Sequence, residues 1–356
     1  MVNSDFWKGK NVFLTGHTGF KGSWLSIWLH SMGAVVKGYA LKPVTNTSLF
    51  SIAGVESLVE SEINDIRDYS VLCSSILDFS PDIVFHMAAQ PLVRASYEKP
   101  LETYEINVMG TANLLEAVRK CPSVRAVVNI TSDKCYENNE WVWGYKETDP
   151  MGGRDPYSSS KGCSELVTAS YRDSFLREAN VGVATVRAGN VIGGGDWAED
   201  RLIPDILRAF QAYTPVVIRN PNATRPWQHV LEPLSGYLIL AEKLFKKPGE
   251  FSEGWNFGPY DPDVRPVDWI LDQMTNLWSG TSWLLDQEEN PHEAMLLKLD
   301  ISKASSILGW TPTWGLNVTL EKIVRWHKLW IEESDMRVEC INEINEFTMD
   351  MRHAKN

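Results

Sequence analysis

The chain has 356 residues, 44% of them hydrophobic and 22% charged, the composition of a globular protein and a length that suits two lobes sharing a core. A formal net charge of -12 excludes a general nucleic-acid surface, since such surfaces are basic, so an anionic ligand needs a local cationic pocket. No stretch approaches the roughly 20 apolar residues of a membrane span, Met1-Val2-Asn3-Ser4-Asp5 has no leader pattern, and Cys73, Cys121, Cys135, Cys163 and Cys340 lie far apart without a C-x-x-C, so neither a disulfide framework nor a metal site is expected and the protein is expected to be cytoplasmic.

Along the chain, Asn11-Val12-Phe13-Leu14-Thr15 is a short apolar run that predicts a first strand. Gly16-His17-Thr18-Gly19-Phe20-Lys21-Gly22 follows, and then Ser23 to Met32, where Trp24, Leu25, Trp28 and Leu29 fall at helical spacing. Strand, glycine turn and helix form the context that a dinucleotide fingerprint requires. Gly16 permits the tight turn, Gly19 lets a pyrophosphate reach the backbone at the helix amino terminus, and Gly22 allows helix to pack closely on strand. Gly33 ends the helix, and Ala34 to Ala40 predicts a second strand. Its end departs from the usual NAD pattern, which carries an acid about 20 residues past the glycine turn. Tyr39-Ala40-Leu41-Lys42 has none, which leaves Lys42 either as a partner for a 2′-phosphate or as a solvated loop lysine. Asn64-Asp65-Ile66-Arg67, after a third strand, is placed to contact an adenine.

The alternation continues with a helix from Tyr69 to Phe79, a turn at Ser80-Pro81-Asp82 and a fourth strand from Ile83 to Met87. There His86 reads as a packed or hydrogen-bonded histidine, and Ala88 as a small residue against which a cofactor can lie. A long helix from Pro100 to Lys120, with Asn107 facing a cofactor or merely packing, leads to Val124 to Ile130, apolar and β-branched as a buried parallel strand is. Beyond it stand Thr131-Ser132-Asp133-Lys134, a hydroxyl, a carboxylate and an ammonium past the carboxyl end of a strand, where open α/β sheets place their sites. Alone, such a tripeptide is an ordinary polar turn; its context makes it the candidate reaction centre. Residues 138–154 form a polar loop carrying Trp141 and Trp143, and Tyr157-Ser158-Ser159-Ser160-Lys161 opens a helix running to about Ala179, with Tyr157 and Lys161 on one face.

A sixth strand, Val183 to Val186, precedes Arg187-Ala188-Gly189-Asn190. Arg201 and Leu202 begin an amphipathic helix, and Arg219 and Arg225 flank Asn220 to Thr224; guanidinium forks bind phosphate oxygens bidentately. Trp255 to Gly258 is expected to return a strand to the sheet. Leu316, Leu320, Ile323, Val324, Trp326 and Trp330 share one apolar helix face read as core, and a loose polar tail is expected after about Phe347.

T-G-x-x-G-F-x-G at Thr15 to Gly22, H-x-A-A at His86 to Ala89, and Tyr157 with Lys161 together resemble the extended short-chain dehydrogenases/reductases that modify nucleotide sugars, over nearly the whole chain to about Trp330. The resemblance implies an α/β fold: a Rossmann-type doubly wound parallel sheet over residues 1–188, completed by a strand near 251–258. A smaller mixed α/β C-terminal lobe, mainly 189–335, would bind the nucleotide sugar, and 336–356 would be a C-terminal helix or tail. Within this group the segment after strand five separates activities. The 4-epimerases carry small or apolar residues there and the 4,6-dehydratases an acid/base pair, Asp-Glu in the dTDP-glucose and GDP-mannose enzymes; Asp133-Lys134 resembles the CDP-glucose 4,6-dehydratases.

The resemblance further implies NAD as cofactor, held by Gly16, Thr18, Gly19, Phe20, Gly22, Asp65, Ile66, Ala88, Tyr157 and Lys161. CDP-glucose or a related nucleotide sugar would be held by Asn190, Arg201, Arg219 and Arg225, in the R-x-x-N-x-x-G segment and the R-x-W position before Trp227. Catalysis would fall to Ser132, Asp133, Lys134, Tyr157 and Lys161. Tyr157, supported by Lys161 and Ser132, would take the C4 hydroxyl proton, Lys134 the C5 proton, and Asp133 would protonate the departing C6 hydroxyl, feeding deoxysugar synthesis. The helices at Pro100 to Lys120 and Tyr157 to Ala179 would pair two copies into a homodimer at least. A nucleotide-sugar 4-epimerase or decarboxylase, with Asp133-Lys134 structural, and a non-catalytic dinucleotide-binding protein stay open as alternatives.

Overall fold

The computed structural model describes residues 1–286 and 296–354. Strands β1 (Asn11–Thr15), β2 (Val35–Ala40), β3 (Glu60–Ile63), β4 (Ile83–His86), β5 (Ala126–Ile130) and β6 (Gly182–Ala188) are followed by β7 (Asn190–Ile192), β8 (Val216–Ile218), β9 (Thr224–His229), β10 (Gly254–Phe257), β11 (Val264–Pro266) and β12 (Trp283–Leu285). The main sheet runs β10-β6-β5-β4-β1-β2-β3, every pair parallel. The order reverses between β1 and β4, so a crevice opens beyond Thr15 and His86, which are neighbours in register.

The strand sequences show why both faces are covered. Successive residues alternate between two cores: Val12 and Leu14, Ile83 and Phe85, and Ala126, Val128 and Ile130 enter one, while Phe13, Val84 and Val127 enter the other. The principal helices are α1 (Phe20–Ser31), α2 (Tyr69–Phe79), α3 (Gly110–Lys120), α4 (Pro156–Tyr171), α5 (Leu202–Gln211), α6 (Leu231–Lys246), α7 (Val267–Leu277), α8 (Leu316–Ile331) and α9 (Met336–His353). Residues of α1 and α6 pack into the first core, and those of α2 and α3 into the second. Local chemistry sets the starts: the side chain of Asp68 caps α2 at Val71 N, and Asp155 caps α4 at Ser158 N with Pro156 in the first turn. A third core joins α5, α7 and the first turns of α8 around Trp227, and it carries the smaller sheets β11-β9-β7 and β12-β8.

Two expected helices arrive in pieces. Pro100–Tyr104 passes through a π-turn at Glu105–Met109 before α3, and α4 ends in a second π-turn at Arg172–Leu176. The first turns Asn107 inward: its side chain accepts from Gln90 N at 2.8 Å and donates to Gln90 O and Ser160 Oγ, tying the loop after β4 to α4. The expected loose tail after Phe347 is corrected: α9 continues to His353, with Phe347 and Met351 buried and Phe347 edge-on to Trp28 and Trp314. Residues 355–356 of that expectation lie outside the described residues. No helix among the described residues is long and apolar enough to cross a membrane.

Candidate active site

The glycine turn closes the crevice on the β1 side. Gly16 has φ +77°, and a Cβ there would lie 2.8 Å from Ala88 N; one at Gly22 would lie 2.1 Å from Gly16 O. Both positions therefore exclude a side chain, and Gly19 begins α1 with no side-chain cap, which leaves the first-turn N–H groups for an anion. Thr18 Oγ1 donates to Leu41 O at 2.8 Å, pinning the turn to the end of β2, while Thr15 Oγ1 accepts from Ala88 N at 3.1 Å. This cradle fits the diphosphate of a dinucleotide. On the side expected to meet the adenine, Tyr39 OH donates to Asp65 O and Asn113 Nδ2 to Ile66 O, both at 3.1 Å. The Asp65 carboxylate is engaged by Arg67 and the Ile66 side chain is packed in the core, while Lys42 is exposed.

Beyond β5 the chain turns sharply. Ser132 caps a short 3-10 turn, Asp133–Cys135, its Oγ accepting from Lys134 N at 3.2 Å and donating to Asp133 Oδ1 at 3.1 Å. Asp133 is buried, and its Oδ2 has no hydrogen-bond partner among the described residues. Burial raises its carboxyl above the usual range, although Lys134 and Arg225 pull the other way. A buried carboxyl with one empty oxygen is held for a ligand or a proton. Lys134 is half-buried beside it.

Tyr157 and Lys161, one turn apart on α4, are both buried against this turn. Burial pushes the Tyr157 phenol up to about 12, opposed by a hydrogen bond with Ser132 and by the Arg201 guanidinium. Burial also brings Lys161 down to about 7, helped by the Lys21 ammonium and opposed by Glu165. Lys161 Nζ donates to Ile130 O at 3.3 Å, at the carboxyl end of β5. The phenol thus stays protonated until further positive charge enters the crevice. His86, buried and lowered to about 3 mainly by burial, sits between Thr15 Oγ1 and Thr111 Oγ1 as a neutral packed histidine.

The arginines divide. Arg225, on β9, is buried close enough to Asp133 to affect its titration. Arg201 donates to Asp196 Oδ2 at 2.8 Å and lies within electrostatic reach of Tyr157, nearer the reaction centre than its place at the start of α5 suggested. Arg219 lies 3.9 Å from the Asp200 carboxylate, and Asn190 is half-buried at the start of β7, paired with Trp227.

Two charged groups of the site were not singled out from the sequence. Lys21 belongs to the glycine turn, yet its ammonium lies in the field of Arg201, Asp133 and Asp196, and burial lowers it to about 8. Asp196 follows three glycines and holds Arg201. The available signal was a lysine at a position of the glycine turn for which the fingerprint specifies no charge.

Comparison with known proteins gives the family and the fold. The family model described as GDP-mannose 4,6 dehydratase matches residues 13–248. A CDP-glucose 4,6-dehydratase of Salmonella typhimurium is 61% identical over 98% of both chains, and a dTDP-glucose 4,6-dehydratase of Xanthomonas campestris is 25% identical over 90% of this chain and 94% of its own. Among solved structures, dTDP-glucose 4,6-dehydratase of Bacillus anthracis in complex with NAD superposes with a TM-score of 0.76 at 18% identity, covering 92% of this chain and all of that one, which establishes the shared fold. A turn after β5 bearing Ser132, Asp133 and Lys134, a tyrosine–lysine helix against it, and a glycine cradle across the crevice accompany a family match over most of the chain, and the protein belongs to the GDP-mannose 4,6 dehydratase family of nucleotide-sugar dehydratases.

Proposed function

We propose that the protein, as a cytoplasmic homodimer with NAD as its catalytic cofactor, converts CDP-glucose to CDP-4-dehydro-6-deoxy-glucose and water. The observation that carries this reading is the Asp133 carboxyl, buried, raised by burial and with an empty Oδ2, next to Lys134 and Ser132. A 4-epimerase needs only redox chemistry at C4. A 4,6-dehydratase must also protonate a leaving hydroxyl, and a carboxyl that burial makes a weaker acid than usual suits that task. The 61% identity to a CDP-glucose 4,6-dehydratase supports cytidine as the base and glucose as the sugar.

When bound, NAD supplies reversible oxidation at the sugar carbon, which makes the neighbouring C5 proton acidic. Gly16, Thr18, Gly19, Phe20, Gly22 and Ala88 would hold it, Asp65 and Ile66 through their main chain, with Tyr157 and Lys161 at the reacting end. Ser132 hydrogen-bonds the C4 hydroxyl, and Tyr157, as its phenolate with Lys161 beside it, accepts the proton. Lys134 removes the C5 proton, and Asp133 donates to the departing C6 hydroxyl. Arg225, Arg219, Arg201 and Asn190 bind and orient the sugar diphosphate, the guanidiniums as charge-assisted donors. Exposed Leu101, Met109, Leu166 and Phe175 on the helices around 100–120 and 156–176 support a two-fold helical interface.

Product analysis tests the reading. With NAD and, in turn, CDP-, dTDP-, UDP- and GDP-hexoses, CDP-glucose should be converted fastest, to a product lighter by one water. A C4 epimer of unchanged mass, or faster dehydration of another nucleotide's sugar, would overturn it.

A further inference from the structure

Glu165 lies on α4 one turn past Lys161 and two past Tyr157, and its carboxylate is buried where β5 and β6 end. Every side of it is bonded. Thr131 Oγ1 and Arg187 Nε donate to Oε1, the latter at 2.9 Å, while Thr185 Oγ1 at 2.6 Å and Arg187 Nη2 at 2.8 Å donate to Oε2. Arg187, equally buried, uses its remaining nitrogen on Tyr136 OH at 2.6 Å and Glu147 O at 3.2 Å, and stacks 4.9 Å over the Tyr136 ring. Tyr136 OH in turn donates to Asn256 Oδ1 on β10.

The two residues at the ends of this network are neighbours of the reactive turn. Thr131 immediately precedes Ser132, and Tyr136 immediately follows Cys135, so one ion pair grips Ser132–Cys135 at both ends. It does so from the helix that carries Tyr157 and Lys161. We infer that Glu165 and Arg187 are positioning residues for the reaction: together they fix the turn of Ser132, Asp133 and Lys134 against Tyr157 and Lys161. A buried pair of this kind adds little net stability over a neutral replacement of similar volume, provided both charges are removed together. Its part in positioning is therefore separable from its part in folding. Displacements of about 1 Å between reacting groups cost about a hundredfold in rate.

The charge on Lys161 follows from what surrounds it. Lys21 approaches from the glycine turn, Cys135 from the reactive turn, His86 from β4, and Glu165 from its own helix; of these Lys21 favours the neutral amine, and Glu165 and then Cys135 the ammonium. Without Glu165 the ammonium is lost at lower pH, and the Tyr157 phenolate loses support.

The test rests on the dehydratase reading and uses the wild type that passes product analysis as its reference, so failure of that reading shows in the wild type and failure of the inference only in the variants. The paired variant Glu165→Gln/Arg187→Met removes both charges; Arg187→Lys keeps a cation without its fork. Circular dichroism establishes folding, calorimetry gives CDP-glucose and NAD affinity, and borodeuteride trapping of the 4-keto sugar in a single turnover gives the C4 oxidation rate across neutral to alkaline pH. The paired variant should fold and bind both ligands within about threefold of the wild type, but oxidise at least about tenfold more slowly. The rise of its rate with pH should move upward by about one unit. Arg187→Lys should slow oxidation with the wild-type pH profile. A folded paired variant with wild-type rate and profile, or one whose whole loss lies in ligand affinity, overturns the inference.

Discussion

Asp133 is placed where its chemistry requires and where stability does not. Its carboxyl is buried with one oxygen unbonded, so burial lifts its pKa above the ordinary 3.8. In the window between the ordinary and the raised value the native state holds a proton that the unfolded chain has released, so stability falls as pH rises through that window. Asp133→Asn removes this dependence while keeping the shape. It should unfold at a higher temperature than the wild type at about pH 7, with the gap closing below about pH 4, and lose about a hundredfold or more in elimination. Thermal melts across pH read the first effect, and an unchanged or lowered midpoint at neutral pH would show that the carboxylate is compensated by Lys134 and Arg225. The Ser132-Asp133-Lys134 and Tyr157/Lys161 candidates were legible because each chemical group lies within a few residues of a recognisable strand end or helix start. Glu165 and Arg187 were not, since what makes them a unit is a contact between residues 22 positions apart, which no local pattern encodes.

At the scale of elements, periodicity carried most of the fold. Runs such as Asn11 to Thr15 and Val124 to Ile130 announce buried parallel strands, and β10 returns to β6 at the expected Trp255-Asn256-Phe257. The π-turns at Glu105–Met109 and Arg172–Leu176 escaped notice because one extra residue per turn barely changes a helical pattern, yet the first sets Asn107 against Gln90 and Ser160. The polar residues after Phe347 suggest a loose tail; Phe347 and Met351, spaced by four, instead bury one face of α9. The outer faces of the two broken helices give the prediction at this scale. Leu166, 62% exposed, should lie in the dimer contact, so sedimentation at micromolar concentration should find the wild type dimeric and Leu166→Asp monomeric with unchanged circular dichroism. A monomeric wild type would contradict the assembly.

For the molecule as a whole, four cations of this acidic chain gather around one crevice: Lys21 from the glycine turn, Lys161 from α4, Arg201 from the start of α5 and Arg225 from β9, in company with Asp133 and Asp196. The net charge of -12 implies that an anionic ligand needs such a local pocket, but not which cations build it, because Lys21 and Arg201 are far apart in sequence and meet only in the fold. The central claim is that one crevice oxidises C4, eliminates across C5–C6 and reduces C6 of the same sugar, with Tyr157 serving oxidation and Lys134 elimination. CDP-glucose deuterated at C4, followed through a single turnover in the wild type and in Lys134→Ala, tests it most directly. The wild type should deliver the deuterium to C6 of the same hexose, and Lys134→Ala should stop at the 4-keto sugar with C6 still hydroxylated. Deuterium retained at C4, or normal dehydration by Lys134→Ala once substrate is saturating, would contradict the account.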